Sequence, residues 1–228
     1  MDPWPVLIGV GVAVVIALIV VAAVVSARRE RERREALRQW AARYGWTYEE
    51  RPAPPDWTAR LPGRNRRGVS LMLSGVVDGY PVGVAEYSYT HTSSTTTHNA
   101  DGTSSTRTSS TTYHYVVVVV RLPQAGPSIE VQSRHALSKL GRALFGDRPT
   151  AVGHEPFDRE FRVGAKDPTA VRRLIGPALV DEHVAGRVPA WSLDGTDLLT
   201  FQNGRLDGAE RVADRAASLV RVATLLGR

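Results

Sequence analysis

The 228-residue sequence has no cysteine, two lysines against 27 arginines, and no basic side chain ahead of its longest apolar stretch. Without thiols, disulfides and thiolate metal sites are excluded, while the redox compartment stays open. The shortage of lysine reads as a coding bias and carries no functional argument. Also missing are the G-x-S-x-G elbow, the P-loop and H-E-x-x-H. The nearest approach to a dinucleotide fingerprint, Gly9-Val10-Gly11, lacks its third glycine and lies inside an apolar run. These absences remove the familiar hydrolase, nucleotide-binding and zinc-protease families. The sequence therefore assigns no catalytic residue, metal ligand or cofactor.

What is present begins with Val6 to Val25, twenty residues with nothing more polar than two glycines. At about 1.5 Å per residue a helix of that length covers roughly 30 Å, the hydrocarbon core of a bilayer. Twelve of the twenty are Val or Ile, poor helix formers in water. In lipid, however, the backbone must bond internally, and helix is the single-segment solution. The expected layout is a short outer N-terminus (1–5), a transmembrane helix (6–26), a basic juxtamembrane helix (27–44) and an α+β domain (45–228). Arg28, Arg29, Arg31, Arg33, Arg34, Arg38 and Arg43 all follow the span, so the positive-inside rule places the N-terminus outside and the domain in the cytoplasm. A cleaved signal peptide fits less well: the basic n-region is missing, the run is too long, and arginines follow the cleavage-like Val25-Ser26-Ala27. Gly9, Ala13 and Ala17 recur every four residues, a stripe that lets two anchors pack as a homodimer but also occurs in anchors that stay single.

Formal charge is +6, and +4 of it lies in residues 27–44, beside the membrane. Arg28, Arg29, Arg31, Arg33 and Arg34 are accordingly the candidate contacts to anionic lipid headgroups. The first half of this helix is polar on every face and reads as a solvated stalk. Leu37, Trp40, Ala41 and Tyr44 then form an apolar stripe for the following domain, with Gly45 as the stop. A proline-rich segment leads to the loop Arg64-Asn65-Arg66-Arg67, whose arginines suit phosphate but are more economically read as solvated. Nucleic acid is not expected as a partner, because the tyrosines of 80–89 stand apart from this loop.

Alternating Val69, Leu71 and Leu73, the Asp78-Gly79 turn and Tyr80–Tyr89 predict a hairpin. Sixteen of the 23 residues from Thr90 to Thr112 are Ser or Thr, predicting a water-exposed ribbon at the base and disorder toward Asp101-Gly102. The returning Tyr113–Leu122 contains five consecutive valines, the pattern of a strand covered on both faces, and is expected at the sheet centre. Ile129 and Val131 mark a further strand, and Leu137, Leu140, Ala143 and Leu144 a short helix. Phe157–Val163 reads as a strand. Asp167-Pro168 starts a helix that restarts at Gly176-Pro177. Trp191 to Phe201 reads as a hairpin about Asp194-Gly195, and Val212, Ala216, Leu219, Val220 and Ala223 as a closing helix. The sum is an α+β fold, an antiparallel sheet with helices on one face.

The order of anchor, arginine-rich helix, Gly45-Trp46-Thr47-Tyr48, Tyr87-Ser88-Tyr89-Thr90, Phe157-Asp158-Arg159-Glu160-Phe161-Arg162-Val163, Trp191-Ser192-Leu193-Asp194-Gly195 and terminal helix resembles uncharacterised single-pass membrane proteins of actinobacteria. The resemblance implies architecture and imports no chemistry. Of the six histidines, His91 and His98 sit an odd seven apart, on opposite faces of a strand, which disfavours a shared metal. Asp181-Glu182-His183 reads as a polar helix end. Two function classes follow: a membrane-anchored, non-enzymatic interaction, scaffold or sensor module with a protein partner, or a membrane-bound hydrolase-like enzyme. A pocket with convergent carboxylate and imidazole groups would favour the second.

Overall fold

The computed structural model describes residues 4–63, 67–98, 104–134, 150–165 and 167–227, with side chains from Ala13 onward and without that of His98. The chain opens on a single helix of forty residues, α1 (Trp4–Arg43). It stops as its sequence directs: Gly45 takes φ +70°, and the Trp46 N–H reaches back to the Ala41 carbonyl at 2.8 Å, a Schellman closure. Among the described residues no helix is long and apolar enough to cross a membrane. The span expected over 6–26 lies partly outside the residues whose side chains are described, which contain only its Ala13–Ser26 portion.

Among the described residues six strands form one antiparallel sheet in the order β1 (Thr47–Glu50), β2 (Arg67–Val77), β3 (Tyr80–His98), β4 (Ser104–Ser133) and β5 (Phe161–Ala165), with β6 (Trp191–Asn203) paired to β4. Asp78 (φ +49°) and Gly79 (φ +84°) make the tight β2–β3 turn, the left-handed pair a two-residue hairpin loop requires. The valine run is central, as expected: β3 flanks it from Val82↔Val120 to Tyr87↔Tyr115, and β6 from Val120↔Leu198 to Tyr115↔Asn203. Val116, Val118 and Val120 face the helices, while Val117 and Val119 face the opposite cluster.

The helix-side core takes Leu37 and Ala41 of α1, Phe157 of α2 (Glu155–Glu160), and Val171 and Leu174 of α3 (Pro168–Leu174). Leu179 and Val180 of α4 (Pro177–Val184) and the expected stripe of α5 (Glu210–Leu225) complete it. The other face is covered by a short 3-10 helix, Asp56–Arg60, through Trp57 and the adjoining Leu61. Asp167 caps α3 by accepting the Thr169 N–H at 2.8 Å, and the break at Gly176-Pro177 separates α3 from α4.

Four expectations need correction. Phe157–Val163 is not one strand: Glu155–Glu160 is helical and β5 starts at Phe161. The helix start wins because His154 caps it, Pro156 suits its first turn, and Asp158 accepts the Val152 and Gly153 N–H groups at 2.9 Å each. Trp191–Phe201 is not a hairpin but one bent strand, since Trp191 and Leu193 pair with Val131 and Ile129 of β4 instead of folding back on Leu199. Ile129 and Val131 belong to β4 itself, which continues past Pro123 and Pro127 through an irregular stretch where its register with β6 shifts. Tyr44 is exposed, its ring 5.2 Å from Trp40, and only Leu37, Trp40 and Ala41 of the stripe meet the core.

The Ser/Thr tract forms an extended ribbon at its base, with register running to His98↔Ser104. Hydroxyls bond across it at 3.0–3.1 Å in the pairs Thr90–Thr112, Thr92–Ser110, Ser93–Ser109, Ser94–Thr108 and Thr96–Thr106. Its expected disordered tip at Asp101-Gly102, the helix expected over 137–144, and most of the Arg64–Arg67 loop lie outside the described residues.

Candidate functional site

The expected stalk is not solvated on every face. Residues three and four apart on a helix share a face, and Glu30, Arg33 and Arg34 use that spacing to turn inward together. Arg33 donates to both oxygens of Glu86 on β3, at 2.7 and 3.0 Å, and to the Leu206 carbonyl at 2.6 Å. The Leu206 N–H completes the set by donating to Glu86 at 2.8 Å. Glu86 is only 6% exposed, so its charge is tolerable because every approach to it carries a donor. Burial alone would lower the Arg33 pKa, but its bonds to Glu30 and Glu86 outweigh that and raise it. Glu30 is held down at about 2, chiefly by the Arg33 hydrogen bond, against the opposing effect of burial, with Arg34 assisting.

A second tier ties α1 to β1. Arg38 pairs with Glu50 at 3.0 Å and Arg34 with Glu50 at 3.6 Å, and the Arg38 guanidinium lies 5.1 Å from the Tyr48 ring centre. The five arginines singled out in the sequence therefore divide. Arg33 and Arg34 are committed to the domain. Arg28 is exposed and paired to Glu32 at 2.9 Å, and Arg29 and Arg31 are exposed with no ion pair among the described residues.

A cavity of about 240 Å³ opens between the two halves of the β4–β6 ladder, walled by Tyr115, Leu199 and Phe201 on one side and Glu130, Gln132 and Ser192 on the other. Glu130 is buried, which raises its pKa against the opposing effects of the Gln132 amide bonded to it and of Arg60. Arg60, from the 3-10 helix, reaches the Ser192 carbonyl at 2.7 Å, the Ser192 hydroxyl at 2.5 Å and the Asp197 carbonyl at 2.8 Å. Burial lowers its pKa. An aromatic row leads from this cavity to the foot of the ribbon: Phe201 to Tyr115 at 5.8 Å, Tyr115 to Tyr89 at 6.1 Å, and Tyr89 to the exposed Tyr113 at 5.1 Å.

The cavity brings a carboxylate and hydroxyls together but no histidine. Thr200 donates to the Ala190 carbonyl at 2.6 Å, so neither it nor Ser192 bonds to an imidazole or carboxylate among the described residues. His91 is exposed on the ribbon, His154 caps α2, and His114 lies 3.1 Å from Arg205. Among the described residues no three His, Asp or Glu side chains gather as metal ligands. The polar helix end expected at Asp181-Glu182-His183 is instead mostly internal. Asp181 is exposed, whereas Glu182 binds Arg187 and Arg221 at 2.8 Å each and is held at about 2 by them. His183 is 1% exposed and accepts the Trp191 indole N–H at 2.9 Å, and its Nδ1 has no hydrogen-bond partner among the described residues. Burial lowers its pKa to about 4.

No family model matches the chain, and no curated protein matches it by sequence. In structure it is similar to the crystal structure of the mycobacterial trehalose monomycolate transport factor A, TtfA, with a TM-score of 0.53 at 13% identity. The alignment covers 86% of this chain and 95% of that one. At this identity the likeness is one of fold.

Proposed function

We propose that this protein is a membrane-tethered, non-catalytic module whose domain presents a surface to a protein partner. The observation that carries the reading is the state of α1 between Val14 and Val25. Nine large apolar side chains there are each at least 42% exposed, on every face of the helix, and among the described residues none packs on the domain. A helix apolar all round with no protein against it calls for lipid or another helix. The same helix then locks into the domain through Arg33 and Glu86, so the apolar segment and the sheet move together. N-terminus outside and domain in the cytoplasm is the orientation that the arginine distribution supports.

The fold shared with a transport factor supports an accessory role. The enzyme alternative asked for a carboxylate and an imidazole converging in a pocket, and among the described residues the cavity is lined by Glu130 without an imidazole. The test is a pull-down of the full chain from detergent-solubilised membranes, with and without residues 90–112. Expected is a defined partner set that the ribbon deletion depletes. Recovery of the chain wholly in the soluble fraction, with no membrane-derived partner, would overturn the proposal.

A further inference from the structure

Where α1 meets the loop after β6 there is an open cleft of about 1000 Å³ that no local sequence pattern announces. Leu18, Val21 and Val25 of the apolar part of α1 wall it, and Arg29, Arg33 and Arg205 line its other end. Arg205 is brought there by the fold: its guanidinium stands 3.8 Å from Glu30 and 3.1 Å from the His114 ring nitrogen. The charges do not cancel. Glu30 and Glu86 are bonded to Arg33 and Arg34 at 2.7–3.1 Å and Glu30 is also paired with Arg205, so two carboxylates face the four arginines 29, 33, 34 and 205 and positive charge is in excess beside an apolar wall.

We propose that this cleft binds an anionic phospholipid, its phosphate between Arg29 and Arg205 and its acyl chain along Leu18, Val21 and Val25. The inference rests on the membrane-tethered reading and makes it specific. A soluble anion would satisfy the arginines and leave the wall bare. An amphiphile matches both, in the order the helix sets: Arg29 follows Val25 by one turn, about 6 Å. Basic pockets beside membrane helices hold lipid headgroups by this combination of charge and apolar contact.

The test uses the full chain reconstituted in nanodiscs of phosphatidylcholine with phosphatidylglycerol, followed by detergent extraction and native mass spectrometry of retained lipid. Phosphatidylglycerol is expected to be enriched on the protein relative to the disc, and Arg205→Ala or Arg29→Ala to cut that enrichment about fivefold each. Arg205→Lys should keep most of it, and Arg172→Ala, an exposed arginine on α3, all of it. Normal incorporation without enrichment, or equal loss in Arg172→Ala, overturns the site and leaves the tether standing. Retention of an acidic peptide in place of lipid overturns it too. Failure to incorporate into any disc overturns site and tether together.

Discussion

Arg33 and Glu86 show how one ion pair fixes a helix to a sheet. Removing one partner of a buried pair strands the other, at a cost of about 3–5 kcal/mol. Arg33→Ala should therefore lower the domain's unfolding free energy by about that amount in chemical denaturation followed by tryptophan fluorescence. The Arg33→Ala/Glu86→Ala double variant should lose much less than the sum of the two singles. His183 makes a pH prediction. Its folded pKa of about 4 lies below the ordinary 6.5, so the unfolded chain binds the extra proton first. Its stabilising effect is whole above pH 6.5 and is lost as pH falls toward 4, in total about 3 kcal/mol. Glu30 and Glu182, both held near 2, release theirs lower, from about pH 4.5 downward. His183→Gln keeps an acceptor for Trp191 and should flatten the stability profile between pH 6.5 and 4 while leaving the lower arm. At this scale the legible residues were those whose partner is local, such as Asp167 and its cap. Glu86 was illegible because its partner lies 53 positions away and nothing in a strand of alternating apolar residues announces a salt bridge. Arg60 was missed for the same reason, its partners on Ser192 and Asp197 lying 132 and 137 positions away.

Among elements, periodicity was readable wherever one environment ruled a whole segment. The five valines of β4 have strands on both edges and core on both faces, and the α5 stripe is buried at all five positions. Readings failed where two signals competed. In Phe157–Val163 an alternating pattern overlay a capped helix start, and in β6 a turn-like Asp194-Gly195 marked a bend, with Gly195 at φ +58°. In the ribbon the two strands run on in register to His98↔Ser104. Its hydroxyl ladder is exposed and isolated from both cores, so it should open and close without the body noticing. Replacing residues 93–109 by Asn-Gly, which leaves the Thr92–Ser110 pair, should keep the thermal midpoint within about 2 °C. A larger fall would mean that the ribbon is part of the folding unit.

At the level of the molecule, α1 makes orientation a single variable. The helix is continuous from Trp4 to Arg43, and Arg33 fastens it about 12 Å beyond Val25. On the proposed membrane-tethered reading, whatever side of a bilayer the arginines choose, sheet, cavity and ribbon follow, close to the surface, with no flexible linker between. The absence of cysteine turns this into a clean measurement, since any introduced thiol is the only one. Asp2→Cys and Ser109→Cys, made separately, report the two ends: one ahead of the apolar run, the other on the exposed ribbon. With a membrane-impermeant maleimide applied to intact cells, the thiol at position 2 should label and the one at 109 should label only after lysis. The reverse pattern would place the domain outside the cell and its partner with it. Labelling at both positions in intact cells would mean that the apolar segment lies against protein or lipid without crossing, and the arginines at its foot would then have to be read as docking charges and not as topological ones.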